Sequence, residues 1–207
     1  SFPSTGSSTP RLVRPGEAAP LPFPDQRPDS LLVALAARGD KEAFSAMYRR
    51  HRVYVARVAQ RFSADQHEAM DIVQETFICL YRKVPTLKLT AKLTTYLYPI
   101  VKNIALSRRR KVRGRLLVPE DDRAAMPPMV DPRSSAGLDG ARTIERAVAS
   151  LPEGQREVVL LRFVDDMQLR EIAAALDIPV GTVKSRLFEA IRTMRAQPGM
   201  AELFGTD

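Results

Sequence analysis

Apolar residues recur along most of this chain with the period of a helix, and no segment competes with the two-residue alternation of a half-buried strand. In "DIPVGTVKSRLFEAIRTMR", Asp177 to Arg195, the residues Val183, Leu187, Ile191 and Met194 share one helical face. The opposite stripe, Thr182, Ser185, Arg186 and Glu189, is polar, and the neighbouring Lys184, Arg192 and Arg195 are basic. This predicts an amphipathic helix docked on a core, with a hydrogen-bonding, cationic face left over.

The same period predicts four helices nearer the N-terminus. "DSLLVALAARGD" opens on an Asp or Ser cap and closes at Gly39. Asp40 can cap the next helix, which aligns Phe44, Met47, His51, Val55 and Val58. A third helix, about Asp65 to Lys83, buries Ala69, Ile72, Val73, Thr76, Phe77 and Leu80. A fourth, about Ala91 to Lys111, buries Leu93, Leu97, Ile100, Val101 and Ile104. Because His51 lies on an apolar stripe, it reads as a packed core residue rather than a ligand or a base.

Two stretches break the pattern. Residues 1–28, rich in Pro, Ser and Gly, read as a disordered extension, and residues 114–140 read as a solvated connector. Four helical segments follow the connector, about Ala141 to Ser150, Pro152 to Val164, Gln168 to Leu176 and Val180 to Met194, and residues 198–207 form a tail. Pro152 suits a first-turn position, with Glu153 placed where the helix dipole favours it. The last two helices make a helix-turn-helix. Leu169, Ile172, Ala173 and Leu176 are buried, Asp177, Ile178 and Pro179 make the turn, and Ala173 is small enough for a close crossing. The expected fold is all-α, with two small helical domains at 29–113 and 141–197.

Charge sharpens this picture. Residues 31–115 carry 18 basic against 6 acidic side chains, an excess of +12, whereas residues 141–207 carry 9 against 10. A basic block of this kind suits a polyanion, although solvated helix faces would also produce it. In the helix-turn-helix the second helix enters the major groove. Thr182, Ser185 and Arg186 are candidates for base edges, and Lys184, Arg192 and Arg195 for phosphates. The single cysteine, Cys79, excludes an intramolecular disulfide and reads as a packing residue in a chain suited to a reducing cytosol. No apolar run reaches the roughly 18 residues of a membrane span, so no membrane insertion is expected. No metal cluster, Gly-rich phosphate loop or nucleophile motif is present, so neither a cofactor nor an enzymatic activity is expected.

"LPEGQREVVLLRFVDDMQLREIAAALDIPVGTVKSRLFEAIRTMR", Leu151 to Arg195, resembles the fourth conserved region of bacterial sigma factors of the extracytoplasmic-function group. "DIVQETFICLYRKV" with "LTTYLYPIVKNIALSRRRKVR" resembles the second region of the same family. The resemblance spans about residues 29–196. It implies a promoter-specificity subunit for core RNA polymerase, without a catalytic site of its own, acting in the cytoplasm at the nucleoid. The implied partners are core polymerase, through its beta-prime clamp and beta subunits, and promoter DNA. An anti-sigma protein is a further candidate.

By that resemblance Asp71, Gln74 and Glu75 would dock on the polymerase. These residues share one face at i, i+3, i+4 spacing, although simple solvation would also explain an acidic and amide stripe. The minus-ten element would be handled by Lys88, Lys92, Tyr96, Tyr98, Lys102, Asn103, Arg108, Arg109 and Arg110, which supply cations and an aromatic platform for unstacked bases. Core packing is the alternative reading of the tyrosines. The loop "PTLKLT", Pro85 to Thr90, matches in position the family loop that pockets a flipped base. Thr182, Lys184, Ser185, Arg186, Arg192 and Arg195 would read the minus-thirty-five element. Departures from the family pattern include Tyr96 where Trp is common, and Pro99, which should kink its helix. An ordinary helix-turn-helix regulator that binds duplex DNA without polymerase is the competing reading.

Overall fold

The computed structural model describes residues 25–116 and 138–200, with side chains for 25–111 and 140–200. The remainder, 1–24, 117–137 and 201–207, takes in most of the expected extension, connector and tail, which therefore lie outside the described residues. Every regular element among the described residues is helical. The first group is α1 (Asp29–Ala37), α2 (Lys41–Gln60), α3 (Gln66–Lys83), a 3-10 turn (Val84–Thr86) and α4 (Leu93–Leu116). The second is α5 (Leu138–Ala149), α6 (Glu153–Val159) running into a π turn (Leu160–Val164), α7 (Leu169–Leu176) and α8 (Val180–Arg195). No described helix is long and apolar enough to cross a membrane.

Side chains acting as caps explain several boundaries. The Asp40 carboxylate accepts from the Glu42 and Ala43 amides at 2.9 and 3.0 Å, and Asp65 accepts from Glu68 at 2.8 Å, each satisfying amide donors that the first helical turn leaves free. The start of α1 differs from expectation. Pro28 takes the cap position, and Asp29 sits inside the first turn, where its carboxylate reaches across to Arg50 (2.5 Å) and His51 Nε2 (2.9 Å) of α2. A local cap is thereby exchanged for a tertiary tie. Gly39, at φ +92°, turns the chain sharply between α1 and α2, a conformation that suits glycine.

The core of the first group follows the apolar period. Met47, Val55 and Val58 of α2 meet Ile72, Val73, Phe77 and Leu80 of α3, and Leu93, Leu97 and Val101 of α4. The polar member, Thr76, is accommodated because its hydroxyl donates to the Ile72 carbonyl at 2.7 Å. Ile100 and Ile104 are only half-buried. α4 runs through Pro99 as one element. His51 is buried as a packed residue, as its stripe predicts.

In the second group Leu151, Val159 and Ala190 form a small core where α6 meets α8. Pro152 stands at the cap position of α6, immediately before the first turn. The Gln168 amide donates to the Glu171 carboxylate at 2.8 Å, so α7 starts without Ser or Thr. Asp177 takes the left-handed conformation, at φ 53° and ψ 48°, between α7 and α8. Ala173 is buried and Ile178 packs against the core from the turn. Val158, Leu161, Met167, Ile172 and Val183 belong to the same continuous core as α2, α3 and α4. The placement of the two groups, left open by the sequence, is thus one of direct packing, with α4 against α7.

Candidate nucleic-acid interface

α8 presents a clean outward face. Gly181, Lys184, Ser185, Phe188, Arg192 and Arg195 are exposed at helical spacing, while Val183 and Ala190 are buried behind them. This face is rotated from the sequence expectation. Thr182, Arg186 and Glu189 are half-buried at its flank, because α6 covers that side of α8. The Arg186 guanidinium lies over Gly154 of α6, so close that a β-carbon there would sit 3.1 Å from Nη1. Phe188, by contrast, leaves 66% of its surface open, a large apolar area for an unpartnered helix face. Arg192 is held by Glu189 one turn back.

The residues expected to handle the minus-ten element separate onto different faces of α4. Tyr96, Asn103 and Arg110 recur every seven residues on one side, with Tyr96 half-exposed and the other two exposed. Lys88 and Lys92 are exposed in the segment before α4. Arg109 is half-buried. Tyr98 and Lys102 point elsewhere. Tyr98 is 1% exposed, and its hydroxyl donates to Glu157 Oε1 of α6 at 2.5 Å. Lys102 Nζ meets the same oxygen at 2.5 Å. Burial and the adjacent carboxylate push the Tyr98 phenol far above its ordinary range. Tyr98 is therefore a core residue in this arrangement and not an open stacking platform, because the second group covers the side of α4 on which it stands.

Arg108 faces α3. Its Nη1 and Nε reach Asp71 and Glu75, each at 3.0 Å, and Glu75 foremost holds the guanidinium in its charged form. The acidic pair expected to dock on a basic partner is thus occupied by a cation expected to contact DNA. Gln74 is exposed beside it. Met70, Ile78 and Tyr81, all exposed, continue the same side of α3 as an apolar stripe. Near the loop before α4, Asp29, Arg50, Leu89 and Lys92 help line an open hollow of about 470 Å³.

Two family models match the chain: sigma-70 region 2 over residues 47–115, and sigma-70 region 4 over 141–194. The sigma-E factor of Salmonella typhimurium, an extracytoplasmic-function sigma factor, is 32% identical over 177 residues, covering 80% of this chain and 92% of its own. The chain belongs to the extracytoplasmic-function group of sigma factors. SigW of Bacillus subtilis, of the same group, is 29% identical over 170 residues, covering 77% of this chain and 91% of its own. Among solved structures, CnrH in complex with the cytosolic domain of CnrY matches with a TM-score of 0.59 and 26% identity, covering 81% of this chain and 95% of its own.

As a sigma factor the protein directs core RNA polymerase to promoters and assists their opening, and it is a transcription initiation factor. The region 2 match falls on α2 to α4 and the region 4 match on α5 to α8. Reading this sigma factor by sequence passed over Phe188, Met70, Ile78 and Tyr81, because an apolar residue on an amphipathic helix is assigned to the core by default. Only their exposure distinguishes them. Phe188 offered one earlier signal, being offset by a single position from the Val183, Leu187, Ile191 stripe.

Proposed function

We propose that this sigma factor reads the minus-thirty-five element with the outward face of α8, centred on Lys184, Ser185 and Phe188. The observation that carries this reading is that α8 leaves Lys184 and Ser185 open in its N-terminal half, where the motif meets base edges, with Phe188 open just past the midpoint on the same face. Ser185 supplies a donor and acceptor, Phe188 an apolar surface for a thymine methyl, and Lys184, Arg192 and Arg195 meet phosphates. Arg186, packed on Gly154, braces α6 against α8 and reaches the groove only from the flank.

The exposed face of α4 would handle the minus-ten element, with Tyr96 as the stacking surface and Asn103, Arg110, Lys88 and Lys92 around it. The hollow beside Leu89 and Lys92 has room for an unstacked base. Docking on core polymerase falls to Asp71, Gln74 and Glu75, flanked by the apolar Met70, Ile78 and Tyr81. A basic helix of the polymerase clamp would replace Arg108 on the acidic pair and free that guanidinium for DNA. The beta subunit is the second expected contact. An anti-sigma protein is proposed as a regulator, motivated by CnrH having been solved with the cytosolic domain of CnrY bound. The site of action would be the cytoplasm, at the nucleoid.

Run-off transcription tests the whole reading. Core polymerase on fragmented genomic DNA of the source organism should yield new transcript ends only when the protein is added, with two spaced elements shared upstream. DNA binding without polymerase, and no new ends, would favour the regulator reading.

A further inference from the structure

The second group of helices binds the first through carboxylates. Asp165 follows the π turn, where its amide donates to the Leu160 carbonyl at 3.1 Å, and the next residue, Asp166, takes a positive φ of 49°. This widened turn carries the Asp165 side chain out of its own group and into the first, where it is 0% exposed. Arg61, at the end of α2 and 2% exposed, grips it with two bonds of 2.6 and 2.9 Å, and Arg57 adds a third at 3.0 Å. Glu157 makes a second tie, to Tyr98 and Lys102 of α4. A weaker contact joins Lys92 to Glu171 at the surface.

We infer that these carboxylates form a latch that holds the polymerase-free protein closed, with Glu157 occupying Lys102 in the place a phosphate would take. The charge distribution fits this role. The +12 excess lies in residues 31–115, and every bridging anion named above comes from the nearly neutral second group. The latch is built to release. Desolvating a buried ion pair offsets much of its attraction, and the Nε groups of both Arg57 and Arg61 are buried without a partner among the described residues. A partner that binds only the open form shifts the balance by its differential affinity, which core polymerase and promoter DNA together can supply. The consequence for promoters rests on the proposed role of α4. The latch itself does not, and it can be measured without DNA.

The test uses the full chain with Cys79→Ser and labels at Arg52→Cys on α2 and Thr193→Cys on α8, both exposed positions. Spin-label distances should give one narrow population in this parent. Asp165→Asn, with helicity retained by circular dichroism, should broaden and lengthen it, and core polymerase should lengthen it in the parent. The opened variant should also bind promoter DNA more tightly in the absence of polymerase, by about 10-fold, the size of a modest population shift. If Asp165→Asn loses helicity, Glu157→Gln carries the same comparison. A parent distribution as broad as that of a folded variant, or a narrow distance unchanged by bound polymerase, overturns the latch. Run-off transcription on the same samples separates the two ideas: release without transcripts leaves the latch standing and counts against the promoter assignments.

Discussion

Asp29 illustrates how one side chain can exchange a local role for a tertiary one. Burial raises its pKa, but hydrogen bonds from His51 and Arg50 outweigh this and hold the carboxyl below its ordinary value. A folded pKa below the unfolded one, about 4, makes the contribution complete above that value and lost as pH falls through the folded pKa. Asp29→Asn should therefore destabilise the protein by about 1–3 kcal/mol at pH 7 in urea denaturation. The difference should shrink under acid conditions. Phe188 gives the opposite case. Because it is exposed, Phe188→Ala should change stability by less than ~0.5 kcal/mol. It should nevertheless weaken minus-thirty-five recognition by ~1 kcal/mol in competition binding with intact holoenzyme.

Helix against helix, the two charged contacts to test are Arg186 on α6 and Arg108 on α3. Gly154→Ala places a β-carbon against the flexible end of Arg186, so the guanidinium can move aside. Alanine at this position in α6 should be neutral or stabilising by up to ~1 kcal/mol, as measured by thermal unfolding. If Arg186 reads DNA from that perch, the same substitution alters minus-thirty-five affinity. Glu75→Lys breaks an exposed pair with Arg108, worth no more than ~1 kcal/mol to stability. Its larger effect should fall on docking, with core polymerase binding reduced in pull-down titrations while duplex binding by α8 is retained. α2, α3 and the helix-turn-helix were legible in advance, because their apolar residues recur at 3.6-residue spacing and Asp40, Asp65 and Asp177 mark their ends. Rotation of α8 about its own axis was less legible, since α6, and not the α8 sequence, decides which flank is covered.

Across the whole molecule, salt separates buried charge from exposed charge. Promoter affinity should fall steeply between low and physiological salt, as phosphate contacts require. The interval between the two groups should barely respond over that range, since Asp165 and Arg61 are both shielded from ions. Distances between labels on α2 and α8, followed alongside DNA affinity in one salt titration, check both expectations. Parallel responses would place the ties between the groups at the surface instead.

Periodicity, caps and the segregation of charge are local properties, and the sequence by itself determined what depends on them. These are the all-helical fold, the inward faces of α2 and α3, the helix-turn-helix, and two motifs that mark a sigma factor. What the tertiary structure alone decided depends on which surfaces meet. Tyr98 and Tyr96 differ little as residues in one helix, yet α6 covers the first and leaves the second half-open. Asp165 and Asp166 are identical neighbours, but only Asp165 reaches Arg61, because a π turn aims it there. Helical period is written into a few consecutive residues. A contact between residues 104 positions apart requires the whole chain to fold before either partner has a neighbour.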